Sequence, residues 1–186
     1  MKGIIYTELL EFVEGRFSDE FVQRLIDAAR LESKGVYTAS GTYPTCEFSS
    51  LLNELSKASN VEQPEWLRDF GRHLFGRFAA RYPDIVNRFD NAVDLIKSLD
   101  KVHQSEIIAL YPDAEFPRFS DAEASADGFS FIYKSFRGMS DFCHGLLEGC
   151  LQHYGMEARI EARKLPSAHE EQVAFTIYPD RVRSAA

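Results

Sequence analysis

The chain has 186 residues, 45% of them hydrophobic and 13% aromatic, including 15 Phe, which is enough for a sizeable core and excludes a disordered chain. A formal net charge of −8 without a basic run argues against nucleic acid or an anionic membrane as the main partner. There is no charged and cleavable apolar leader and no apolar stretch long enough for a membrane span. Cys46, Cys143 and Cys150 form an odd set without framework spacing, so a cytoplasmic protein with free thiols is expected.

The first hundred residues read as mostly helical. Ile5, Leu9, Phe12 and Val13 stripe a first helix, and Ser18 is placed to cap a second that carries Phe21, Leu25, Ile26 and Ala29 inward. Residues 35–44 cluster Gly, Thr and Pro and read as a loop. A third helix is expected over about residues 47–58, with Phe48, Leu51, Leu52 and Leu55 on one face. Pro64 suits the first turn of a fourth, which aligns Leu67, Phe70, Leu74 and Phe78 until Pro83 interrupts it. The spacing predicts one long helix over residues 91–110.

The pattern then changes. Residues 121–127 are small and acidic and read as a solvent loop. Residues 129–133 suit a strand, and residues 138–154 a helix with Met139, Phe142, Cys143, Leu146, Leu147, Cys150 and Tyr154 on its apolar side. Residues 158–163 and 172–178 alternate enough to pair as strands around a polar turn at 167–170, and a frayed tail is expected from Asp180. The fold class is therefore α+β: a helical part over about residues 1–90, then an α/β part with an antiparallel sheet over about residues 91–180, in a single domain spanning 1–186.

Two groups of residues carry the chemistry. His103 falls on the apolar stripe Ile96, Leu99, His103, Ile107 and Leu110. A histidine in such a seam must satisfy two ring nitrogens, through hydrogen bonds in the core or through a metal. Tyr133, Ser135 and Arg137 are spaced by two, so along an extended chain a phenol, a hydroxyl and a guanidinium share one side. That group suits carboxylates, which arginine grips through paired charge-assisted bonds, although an exposed polar strand face has the same spelling. Cys143, Cys150, His144 and His153 read as core thiols and surface imidazoles rather than a metal cluster. No Cys-x-x-Cys-His is present for covalent heme attachment. Asp100 and Glu106 flank His103 on opposite sides without a nucleophile in a recognisable setting. With no phosphate-cradling loop and no nucleophile elbow, the chain is not expected to be an enzyme.

The opening Met1-Lys2-Gly3-Ile4-Ile5, the His103 segment, the following Tyr111-Pro112 to Pro117 stretch and the Tyr-x-Ser-x-Arg of Tyr133, Ser135 and Arg137 together resemble the H-NOX family, the heme-nitric oxide/oxygen binding domains. The similarity runs over nearly the whole chain and is weakest after Tyr154. It implies heme b, held non-covalently between the helical and α/β parts. His103 is then the metal ligand on the proximal side, Tyr133, Ser135 and Arg137 hold the heme propionates, and Pro117 packs on the macrocycle and helps bend it. On the gas-binding face the resemblance places Ile5, Leu9, Leu74, Phe78, Phe142 and Leu146, all apolar. Oxygen-binding members carry a tyrosine on the distal helix, where this chain has Phe142. Some members hold zinc near the C-terminus, but residues 164–173 offer His169 and no cysteine.

The implied function is a gas sensor that binds nitric oxide, and carbon monoxide, at ferrous heme and discriminates against oxygen. Release of His103 would signal to a partner in trans such as a histidine kinase or a cyclic-di-GMP enzyme. Two alternatives stay open: an oxygen-binding heme domain with a donor from Tyr6, His73 or His144, and a heme-free protein-interaction module.

Overall fold

The computed structural model describes residues 1–102, 108–110, 115–124 and 128–180. Helix α1 (Gly3–Arg16) buries Tyr6, Leu9, Phe12 and Val13 at helical spacing. The loop over residues 38–43 crosses its first turn so closely that a Cβ at Gly3 would overlap the Thr38 carbonyl oxygen, which only glycine permits. Helix α2 (Asp19–Ala29) starts at Ser18, whose Oγ accepts from the Phe21 amide at 3.2 Å. Helices α3 (Thr45–Ser59) and α4 (Gln63–Arg81) follow, with Pro64 in the first turn of α4. The indole of Trp66 donates to Ser59 Oγ at 2.8 Å across the junction.

The stretch expected as one helix over 91–110 is divided. After α5 (Pro83–Val86), helix α6 (Ala92–Lys97) opens on Asn91, which accepts from the Asp94 amide at 3.0 Å. It closes at Ser98, whose amide reaches both Asp94 O and Leu95 O. That tightened turn ends the helix, and α7 (Leu99–Val102) begins anew. A short α8 (Ile108–Leu110) lies beyond residues 103–107, and those residues, His103 among them, are outside the described set.

A second correction concerns the acidic stretch. Of residues 121–127, expected in a solvent loop, 121–124 belong to strand β1 (Arg118–Ala124), paired antiparallel with β2 (Phe129–Ser135), and 125–127 lie outside the described set. The register shifts between Ser120 and Glu123, with Asp121 at φ 52°. This is a bulge at a sheet edge, and the short polar side chain of Asp tolerates the left-handed conformation there. The composition looks loop-like because this edge strand keeps most side chains in solvent.

Helix α9 (Ser140–His153) and strands β3 (Ala158–Leu165) and β4 (Glu171–Pro179) complete the fold. The sheet order is β1-β2-β4-β3, antiparallel throughout. Strand alternation sends Phe129, Phe131, Tyr133 and Ser135 of β2 and Val173, Phe175 and Ile177 of β4 to one face. Cys143, Leu147, Cys150 and Leu151 of α9 cover that face. The helices α1 to α4 form a second core around Leu9, Phe12, Leu51, Leu55 and Phe70. The α+β arrangement expected from the sequence is thus the one observed. His144, expected at the surface, is instead only 8% exposed, set edge-on to Phe175.

The two cores are joined by α4 and α9, which lie almost backbone to backbone. A Cβ at Gly71 of α4 would overlap the Phe142 carbonyl oxygen, and one at Gly145 of α9 would overlap the Arg68 carbonyl oxygen. Arg68 ties the edge of this contact to Asp141, its Nε and Nη2 both reaching Oδ1 at 3.0 and 2.9 Å.

Candidate functional site

Between the two cores lies a cavity of about 490 Å³, in the size range of small-molecule and cofactor sites. Its walls come from both halves. α1 gives Ile4, Ile5 and Glu8; α4 gives Leu74, Phe75, Arg77, Phe78 and Arg81. Leu95, Ile96, Leu99 and Val102 come from α6 and α7, Phe116, Pro117 and Phe119 from the approach to and start of β1, and Phe142, Leu146 and Leu147 from α9. Ile5, Leu74, Phe78, Phe142 and Leu146 are only half-buried, because each presents an apolar side chain to open space instead of to another side chain.

One corner of the cavity is polar. Strand alternation brings Tyr133 and Ser135 to the inner face, and the turn after β2 brings Arg137 beside them. Ser135 Oγ accepts from the Arg137 amide at 3.2 Å, which folds that turn. The Arg137 guanidinium donates to the Glu115 carbonyl oxygen and to Glu115 Oε2, both at 2.9 Å. Burial pushes the Tyr133 phenol well above its usual range, with Ser135 pulling the other way, so this hydroxyl stays a donor at any physiological pH. The corner therefore offers a guanidinium that already holds a carboxylate, next to two hydroxyls.

Of the residues singled out in the sequence, Ile5, Leu74, Phe78, Phe142, Leu146, Pro117, Tyr133, Ser135 and Arg137 all line this cavity. Leu9 is not among the lining residues; it turns away into the helical core, 1% exposed. The axial-ligand expectation at His103 lies outside the described residues, while Val102 just before it lines the wall. Tyr6, His73 and His144 are not among the lining residues either. The Tyr6 hydroxyl is committed to the Pro44 carbonyl at 2.7 Å.

Cys143 and Cys150 do reach the cavity. Burial raises both thiols, Cys150 to about 12. They stay protonated in this apolar setting. No group of three or more His, Cys, Asp or Glu placed to hold a metal ion occurs among the described residues. None of the described helices is long and apolar enough to cross a membrane.

An apolar, wide cavity with one carboxylate-gripping corner fits a flat hydrophobic macrocycle that carries carboxylates at one edge. Glu8, Arg77 and Arg81 are lining residues that sequence patterning did not single out. The signal for Glu8 was present as a charge lying between Ile5, Leu9 and Phe12 on the buried face of α1.

A family model described as haem-NO-binding matches residues 2–162. Among solved structures, the chain is similar to the H-NOX protein from K. algicida in its Fe(II) unliganded state, with 33% identity over 100% of both chains and a TM-score of 0.91. It is also similar to the H-NOX from Shewanella woodyi, solved bound to IWP-051 in the Fe(II)CO ligation state. There the identity is 31% over 100% of this chain and 97% of that one, with a TM-score of 0.82. The H-NOX protein from S. oneidensis in the Fe(II)NO ligation state, 22% identical over 97% of this chain and 100% of its own, shares the fold at a TM-score of 0.85. No curated protein matches the chain by sequence.

Proposed function

The chain belongs to the haem-NO-binding family of heme-based gas sensors, and from that footing we propose that it binds heme b non-covalently and senses nitric oxide, taking carbon monoxide as well and discriminating against oxygen. What supports this reading is one conjunction: an apolar cavity between two cores, with Tyr133, Ser135 and Arg137 at its corner and Arg137 already gripping a carboxylate.

Arg137 would hold the propionate carboxylates by charge-assisted bonds, with the Tyr133 and Ser135 hydroxyls beside it. His103 would hold the heme iron through a neutral imidazole nitrogen. Pro117 would rest its stiff ring against the macrocycle. When bound, heme would supply a ferrous iron able to take a diatomic gas. Ile5, Leu74, Phe78, Phe142 and Leu146 would exclude water from the gas side and offer no hydrogen-bond donor. A wall without a hydrogen-bond donor would favour nitric oxide and carbon monoxide over oxygen, the gas that depends most on one.

Signalling would start at the His103 segment. Asp100 of α7 accepts from the Phe119 amide of β1 at 3.2 Å. A shift of the His103 segment would reach α7, and that bond would pass it to the sheet edge. A partner in trans, such as a histidine kinase or a cyclic-di-GMP enzyme, would respond by binding the two arrangements with different affinity. We read residues 1–186 as one heme-binding unit acting in the cytoplasm as a sensor and not as an enzyme.

The test is an anaerobic absorption spectrum of the ferrous, heme-reconstituted protein, repeated in air and then with nitric oxide. A five-coordinate spectrum, unchanged at first in air and shifted by nitric oxide, is expected. A stable complex in air would make the chain an oxygen binder. No heme band after reconstitution would leave a protein-interaction module.

A further inference from the structure

Glu8 is a carboxylate in an apolar wall. It is 4% exposed and lines the cavity beside Ile4 and Ile5. A buried carboxylate is costly unless it is paired and hydrogen-bonded. Arg77 of α4 provides both: its Nε donates to Glu8 Oε2 at 2.8 Å, and Nη2 reaches Glu8 Oε1 at 3.4 Å and Glu11 Oε2 at 2.9 Å.

Arg77 is itself a lining residue, three positions after Leu74 and one before Phe78. Its side chain is 50% exposed at the cavity's edge, and its guanidinium is a strong, permanently charged donor group. Its donors are turned to Glu8 and to Glu11, the latter 57% exposed on the solvent side. We propose that Glu8 is a specificity-determining residue: by engaging Arg77 it holds the guanidinium of this lining residue at the cavity's edge and keeps it from turning inward to donate into the gas-binding space. This inference rests on the heme reading above. Discrimination against oxygen then needs two things, an apolar wall and a carboxylate that occupies the one strong donor between Leu74 and Phe78. Arg81, also among the lining residues, has its guanidinium carbon 5.8 Å from the Tyr82 ring centre.

The experiment uses the full chain reconstituted with heme. The ferrous band is recorded first for every variant. Oxygen affinity is then measured by titration, and the C–O stretch of the carbon monoxide complex by infrared spectroscopy, for the unmodified protein, Glu8→Ala, Glu8→Gln and the double variant Glu8→Ala with Arg77→Met. Glu8→Ala should raise oxygen affinity by about tenfold or more, the scale of one charge-assisted hydrogen bond, and lower the C–O stretch. Glu8→Gln, which keeps the shape and one acceptor, should move both in the same direction by less. The double variant should return both to the starting values. Heme-loaded Glu8→Ala with unchanged affinity and stretch overturns the proposal, as does a change that survives Arg77→Met, which would point to Arg81 or water instead. If Glu8→Ala does not fold, Glu8→Gln with and without Arg77→Met takes its place: a shift that Arg77→Met reverses supports the proposal, and no shift overturns it. An unmodified protein without a ferrous heme band overturns the heme reading itself, a result distinct from any of these.

Discussion

Phe142 sets a ring without a hydroxyl on the cavity wall, stacked at 5.3 Å on Phe70 of α4. Phe142→Tyr adds a donor there, and oxygen affinity of the ferrous protein should rise by about tenfold. A heme-loaded variant that forms no oxygen complex would show that this ring does not face the bound gas. The role proposed for His103 predicts that His103→Gly loses its hold on heme, with imidazole in the buffer restoring the original absorption spectrum; spectra identical to the unmodified protein would remove His103 from that role. The polar corner was legible in the sequence because strand alternation is strict: Tyr133 and Ser135, two apart, share a face. The wall was less so. Leu9 and Ile5 lie on one apolar stripe, yet Leu9 enters the helical core while Ile5 meets the cavity. Periodicity identifies an inward residue, but not which of two inward spaces receives it. Glu8 and Arg77 escaped because their meaning lies in a pairing across 69 positions of sequence.

Between elements, the contact of α4 with α9 leaves no room for a side chain at Gly71 or Gly145. Gly145→Ala must push the helices apart, since the atom it would strike is backbone. The usual cost of overpacking is about 1–3 kcal/mol, against which the gain in helix propensity of about 1 kcal/mol is smaller. Thermal unfolding should therefore begin at lower temperature, and an unchanged or higher melting temperature would show that the helices can separate freely. Helices with a clear start were readable, as Ser18 and Pro64 demonstrate. Two elements were not. The division at Ser98 is made by local hydrogen bonding that apolar spacing does not register. Strand β1 owes its form to pairing with β2, and its exposed acidic residues carry no period of their own.

At the scale of the whole molecule, a buried imidazole, His144, and a half-buried one, His73, link stability to acidity. Burial lowers the pKa of His144 and of His73 from the ordinary 6.5, outweighing the neighbouring carboxylates. His144 Nδ1 and His73 Nε2 are buried without a hydrogen-bond partner among the described residues. Each ring then binds a proton more readily in the unfolded chain than in the folded one. Their effect is absent above about pH 6.5, and stability is lost as pH falls below it. Melting temperatures measured from about pH 8 down to about pH 5 should decline on the acid side, and His144→Gln should flatten that decline. A slope untouched by changing both histidines would assign it to the carboxylates. The broad division into a helical half and a sheet half was readable from the switch between periods of 3.6 and 2, whereas the cavity between them was not, because empty space has no spelling. The join between the halves also bears on how such a protein diversifies. The carbonyl of Phe142 is clamped against Gly71 while its ring is turned to the cavity, so the main chain fixes position and the side chain alone sets chemistry. On the proposed reading, gas preference would then drift by single codons along one wall, and a small combinatorial library at Glu8, Phe142 and Leu146 would explore new ligand selectivities on an unmoved scaffold.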